Sequence, residues 1–180
     1  MAKQLKINGD TFVPILSERR IKTRIRALAK KISKDYRGKV PVFIGILNGS
    51  FIFFADLLRE ITIDCEVDFL KLSSYGDAKI SSGNVHLLKD LNCQVEGRDI
   101  IIVEDIVDSG LSMQYIHDLI TRQNPSSFKV VTLLYKPRSV KTGVELEYVG
   151  FTIPSDFVIG YGLDYAQRER NLKSIYKLKD

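Results

Sequence analysis

Short β-branched runs alternate along this chain with stretches of helical periodicity, and that alternation restricts the fold more than any other feature. Residues 40–47, Val-Pro-Val-Phe-Ile-Gly-Ile-Leu, are apolar almost throughout, as a strand buried on both faces would be. Asn48-Gly49-Ser50 breaks the run, and residues 51–61 read as helix. Residues 64–72 read as a second strand, with Val67, Phe69 and Leu72 among its packed positions and Cys65 a buried member. Residues 99–104 are β-branched, followed by a loop and a helix over about 112–121. Residues 129–135 form another strand and 157–160 a short one. Strands separated by helices imply a central, mainly parallel sheet with helices on both faces. No repeat, low-complexity tract or linker divides the 180 residues, so one domain over 1–180 is expected.

The remaining stretch, 73–97, is rich in Ser, Gly, Asp and Lys around a weak β pattern at Val85, Leu87 and Leu88. It reads as an excursion from the sheet, either a lid over a site or an exposed β-hairpin.

Bulk composition excludes several classes of function. With 44% hydrophobic and 27% charged residues the chain has a globular balance, and its apolar runs are too short to cross a bilayer. The opening Met1-Ala-Lys-Gln-Leu-Lys6 lacks the apolar segment of a secretory signal, which points to the cytoplasm. Cys65 and Cys93 cannot form a disulfide framework, and His86 and His117 give no zinc spacing, so a metal here would take oxygen ligands. The net charge of +5 favours anionic partners. Much of it lies in residues 19–31, where Ile21, Ile25, Leu28 and Ile32 recur at helical spacing behind Ser17, a candidate N-cap. The cations on the other faces read as a solvated surface, so neither nucleic acid nor membrane is expected as a partner.

The chemistry concentrates in Ile100-Ile-Ile-Val-Glu-Asp-Ile-Val-Asp-Ser-Gly-Leu-Ser112. An apolar strand ends in Glu104 and Asp105; Asp108 follows, and Ser109-Gly110-Leu111-Ser112 opens a helix. Ligands of open α/β sheets bind beyond the carboxyl ends of the strands. A helix N-terminus built of small residues offers free backbone N–H groups to a phosphate. Three carboxylates beside such a seat need other work, and two tasks suit them: accepting hydrogen bonds from sugar hydroxyls and orienting the water shell of a hard cation.

Residues 103–112 resemble the phosphoribosyl pyrophosphate (PRPP) signature of type I phosphoribosyltransferases, and within them the hypoxanthine (guanine) branch; the likeness extends over about residues 40–176. It implies the fold of that family: a central parallel sheet, a small hood and a mobile lid over about 73–97. It implies transfer of the phosphoribosyl group from PRPP to N9 of a 6-oxopurine base, with Mg2+ as cofactor. Position by position, Glu104 and Asp105 would hold the ribose hydroxyls and the metal, and Asp108 would be the general acid/base near N7. Asp108, Ser109, Gly110, Leu111 and Ser112 would hold the 5′-phosphate.

Asn48 and Gly49 match the pyrophosphate loop, with Asn48 where the family commonly carries lysine. Ser74 and Tyr75 match the serine-tyrosine pair that starts the lid. Lys136 would donate to the 6-oxo group, Arg138 and Arg170 would contact pyrophosphate, Phe157 would stack on the base, and the Val158 backbone would read its edge. Asp164 would orient a second magnesium. A homodimer or homotetramer follows from the same resemblance. The rival readings are a donor-sensing regulator that binds RNA or DNA, and an enzyme acting on xanthine or adenine; Lys136 argues against adenine, whose 6-amino group is itself a donor.

Overall fold

The computed structural model describes residues 4–74, 85–143 and 145–179. Its elements in chain order are β1 (Leu5–Ile7), β2 (Asp10–Leu16), α1 (Glu18–Asp35), β3 (Val42–Leu47), α2 (Phe51–Glu60), β4 (Glu66–Ser74), β5 (Val85–Lys89), β6 (Asp99–Val107), α3 (Leu111–Thr121), β7 (Ser127–Tyr135), β8 (Tyr148–Thr152), β9 (Val158–Ile159) and β10 (Ile175–Leu178). Six strands form the central sheet in the order β5-β4-β3-β6-β7-β8. All neighbours in it are parallel except β4 and β5, which bears out the expectation of a mainly parallel sheet.

The two faces of that sheet follow from the period of a strand. On one face Phe43, Ile101, Val103, Val131 and Leu133 meet α1 and α2 through Ile21, Ile25, Leu28, Ile32, Phe53 and Leu57. On the other Val42, Ile44, Ile46, Ile100, Ile102 and Val130 meet Met113, Ile116 and Ile120 of α3. Each fully buried aliphatic side chain contributes about 1.5–3 kcal/mol. Ser17 caps α1, its hydroxyl accepting from Arg20 N at 3.4 Å. No described helix is long and apolar enough to cross a membrane.

Four strands escape the sequence reading: β1, β2, β8 and β10. Three of them, with β9, make a small antiparallel sheet in the order β1-β2-β10-β9. Leu16, Val158 and Ile175 of that sheet join the core under α1 and α2.

Several expectations need correction. β6 does not stop at residue 104, because Ile106 and Val107 continue its ladder against Leu134 and Tyr135 of β7. Glu104 and Asp105 are therefore strand residues, each buried. Helix α3 begins at Leu111, one residue early. Val67 is 50% exposed, since β5 pairs with β4 only from Lys71 onward and leaves the start of that strand an open edge. Cys65 is half-buried and precedes β4. The excursion is shorter than 73–97: residues 85–89 are strand β5, and Val95 is buried.

That return is held by Asp68, which accepts from Phe69 N at 2.7 Å, Asn92 N at 2.6 Å and Cys93 N at 2.9 Å, with Lys89 Nζ at 3.3 Å. Ser74 ends β4, and Tyr75 lies outside the described residues.

Candidate active site

Parallel strands bring their carboxyl ends to one edge of the sheet, and the candidate residues gather there. Asn48 and Gly49 leave β3; Asp108 to Ser112 leave β6; Lys136 and Arg138 leave β7. The chain goes from β3 to β4 on one side and returns to β6 on the other. The gap between β3 and β6 is thus a topological switch point, where open α/β sheets form a crevice.

Register sets the first contact. Val107 lies opposite Tyr135, and Lys136 N donates to Val107 O at 3.0 Å. The next residues on the two strands then face each other, and Lys136 Nζ donates to Asp108 Oδ2 at 2.7 Å.

Behind them lie the two strand acids. Burial, and then the neighbouring Asp105 carboxyl, push the Glu104 carboxyl well above the usual carboxylate range. Burial raises Asp105 as well, against the hydrogen bonds that favour its charge, from Glu104 and Ile106 N, and the positive charge of Arg170. Two adjacent buried carboxylates cannot both ionise cheaply without a cation. Among the described residues no three His, Cys, Asp or Glu side chains converge to chelate a metal. The pair therefore fits a hard dication that shares its shell with phosphate, sugar and water oxygens.

The candidate phosphate seat at the start of α3 has its own support. Gly110 caps α3 at φ 82°, and the first turn of a helix has N–H groups without intrahelical acceptors. Ser109 Oγ accepts from Leu111 N at 3.4 Å, and Lys141 N donates to Ser109 O at 3.0 Å. Thr142 Oγ1 reaches Gly110 O at 3.4 Å. A small pocket lined by Glu104, Val107, Asp108, Ser109, Gly110 and Ser112 opens at this turn. Lys141 and Thr142 carried no sequence signal, since their role depends on where the loop after β7 is laid.

Gly49 stands directly over Asp105: a Cβ added there would lie 1.8 Å from Asp105 Oδ2. Any side chain at this position would force the Asp105 carboxyl or the loop to move. On the same side Arg170 donates to Gly162 O at 2.8 Å and pairs with Asp164 Oδ1 at 2.9 Å. Asp164 Oδ2 also accepts from Gln167 N at 2.9 Å. Asn48 is exposed beside Gly49. Arg138 is exposed too, and among the described residues no hydrogen bond or ion pair holds it.

Phe157 is 46% exposed, with Phe12 at 6.4 Å and Tyr165 at 5.8 Å between ring centroids. Its own carbonyl accepts from Leu178 N at 3.0 Å, and Val158 is buried in β9. The aromatic ring thus keeps one surface open for stacking.

A family model for the phosphoribosyl transferase domain matches residues 14–166. The chain belongs to the phosphoribosyltransferase family. This phosphoribosyltransferase is 45% identical over 165 residues to the hypoxanthine-guanine phosphoribosyltransferase of Bacillus subtilis strain 168, covering 92% of each chain. It is 47% identical over 173 residues to the bifunctional protein TilS/HprT of Listeria innocua, where the match takes in 96% of this chain and spans only 27% of that protein's length. Its fold matches the crystal structure of a hypoxanthine-guanine phosphoribosyltransferase from Bacillus anthracis with a TM-score of 0.88 and 41% identity, covering 93% of this chain and 98% of that one. The phosphoribosyltransferase therefore lies within the hypoxanthine-guanine branch.

Proposed function

We propose that the chain transfers the 5-phosphoribosyl group of PRPP to N9 of hypoxanthine or guanine, forming IMP or GMP and pyrophosphate in purine salvage. The observation that carries the reading is the meeting of Asp108 with Lys136 beside the buried Glu104–Asp105 pair, at the carboxyl edge of the sheet.

Each group then has a task. Glu104 and Asp105 accept hydrogen bonds from the ribose hydroxyls. The N–H groups of 108–112 and the hydroxyls of Ser109 and Ser112 hold the 5′-phosphate. Asn48, Gly49, Arg138 and Arg170 face the pyrophosphate. Phe157 stacks on the base, the Val158 backbone reads its edge, and Lys136 donates to O6.

As the N9–C1′ bond forms, the C1′–O bond breaks and its electron pair leaves with pyrophosphate, while the base proton at N7 passes to the Asp108 carboxylate. Glu104, Asp105 and Asp164 would hold Mg2+, which when bound supplies positive charge against the pyrophosphate. Ser74 and Tyr75 begin a lid that excludes water during the reaction. We place the enzyme in the cytoplasm as a homodimer or homotetramer, on the strength of the resemblance.

The test is nucleotide formation from PRPP and Mg2+ with hypoxanthine, guanine, xanthine or adenine in turn. Product from hypoxanthine or guanine is expected. Silence from all four bases with PRPP still bound would sink the reading. Salt-sensitive binding of nucleic acid in that case would favour a donor-sensing regulator.

A further inference from the structure

We propose that Asp56 and Tyr161 form a positioning pair that fixes the wall receiving the pyrophosphate of the donor. The inference rests on the transferase reading above and names two residues outside the groups that would touch ligand.

Tyr161 is buried between Gly160 and Gly162, and it takes a left-handed φ of 53°. An aromatic residue adopts that backbone only when its surroundings enforce it. Two contacts do so: Tyr161 N donates to Leu172 O at 2.8 Å, and the phenol donates to the Asp56 carboxylate on α2.

The consequence appears one residue later. Gly162 has φ 100°, and a Cβ there would lie 2.1 Å from Gly49 O, so its backbone rests against the loop after β3. Gly162 N donates to Arg170 O at 2.8 Å, and Arg170 returns a bond to Gly162 O before pairing with Asp164. Helix α2, which carries Asp56, begins at Phe51 directly behind Gly49. The phenol–carboxylate bond thus adds a directional tie between the two pieces of chain proposed to face pyrophosphate, which also pack together: the 48–49 loop with its helix, and the turn holding Gly162, Asp164 and Arg170. The groups that would hold O6 and the 5′-phosphate, Lys136 and 108–112, leave other strands.

The experiment varies PRPP and hypoxanthine separately in steady-state kinetics of wild type, Tyr161→Phe, Asp56→Ala, Asp56→Asn and the Tyr161→Phe/Asp56→Ala double variant. Tyr161→Phe is expected to raise KM for PRPP about three- to tenfold, less than the full worth of a hydrogen bond to a carboxylate because the bond acts on the donor site through the backbone. KM for hypoxanthine should change by less than about twofold, since Phe157 and Val158 are held by the pairing of β9 with β10 and by Leu178 N rather than by the Tyr161 phenol. The double variant should match Tyr161→Phe, because both lack the same bond, whereas Asp56→Ala alone leaves the buried phenol unpaired and should raise the PRPP KM at least as much. Asp56→Asn keeps an acceptor oxygen and should recover most of the PRPP KM. A fall in Tm with an unchanged PRPP KM in Tyr161→Phe, or an equal rise in both KM values, overturns the pair. An inactive wild type would overturn the transferase reading and this inference with it, whereas an active wild type with unshifted variants overturns the inference alone.

Discussion

Lys136 Nζ lies 2.7 Å from Asp108 Oδ2, with a lysine side chain 7% exposed and an aspartate 51% exposed. A buried ammonium must have an acceptor, and removing its partner is far costlier than exchanging it. In the proposed reaction the 6-oxo group of a bound purine would offer that exchange. Were Lys136 to turn to the base, the Asp108 carboxylate would be free to take the proton at N7. On that reading the ion pair holds both groups ready until the base arrives.

Lys136→Gln should therefore raise KM for hypoxanthine by about ten- to a hundredfold, the worth of a hydrogen bond from a charged donor. It should also narrow the preference for hypoxanthine over adenine, because the proposed discrimination rests on that donor. Competition assays with both bases check this; an unchanged ratio would remove Lys136 from base recognition.

Gly49→Ala tests the closeness of the loop after β3, the proposed pyrophosphate loop, to Asp105. The added methyl would meet Asp105 Oδ2 at 1.8 Å, and overpacking of this kind costs about 1–3 kcal/mol. The expected outcome is a large loss of kcat/KM for PRPP with a modest drop in Tm. Wild-type kinetics would show that the loop can shift freely.

Asp68 makes an acid-sensitive anchor. Burial alone would raise its carboxyl, but the N–H groups of Cys93, Phe69 and Asn92 and the Lys89 ammonium outweigh that and bring it to about 2. Because the folded value is depressed, the anchor contributes its full stability above the ordinary aspartate range and loses it as pH falls from about 4 towards 2. The contribution is on the order of 2 kcal/mol. Asp68→Asn should lower stability at pH 7 by about that amount and flatten the acid limb of a denaturation curve. Hydrogen exchange at Asn92 and Cys93 should quicken in parallel.

Removal of divalent cations with a chelator should abolish turnover, and excess Mg2+ should restore it, since Glu104 and Asp105 are buried side by side. Full activity in the chelator would take Glu104, Asp105 and Asp164 out of metal binding.

Much of the central sheet could be read in the sequence because its strands are apolar runs bounded by Gly, Asn, Ser and acids. Strands β3, β6 and β7 are nearly continuous hydrophobic stretches, as buried parallel strands must be. The small antiparallel sheet was hidden for the opposite reason. Strands β2 and β10 mix Asp10, Thr11, Pro14 and Lys177 with their apolar residues, and the pairing that joins them to each other spans almost the whole chain. Glu104 and Asp105 misled in a similar way: acids mark strand ends on average, yet here the ladder with β7 carries the strand past them. Loop motifs of the site were legible as strings, but the contacts were not. Nothing in the sequence sets Asp108 against Lys136, Gly49 over Asp105 or Asp56 under Tyr161, because each contact depends on strand order and register.

The most direct test of the account compares wild type and Asp108→Asn in two assays: PRPP binding by calorimetry and IMP formation from hypoxanthine. The account predicts PRPP affinity close to wild type and turnover lower by about 10²–10⁴-fold, the usual contribution of a general acid/base group. Turnover near the wild-type value, with the same PRPP affinity, would contradict it.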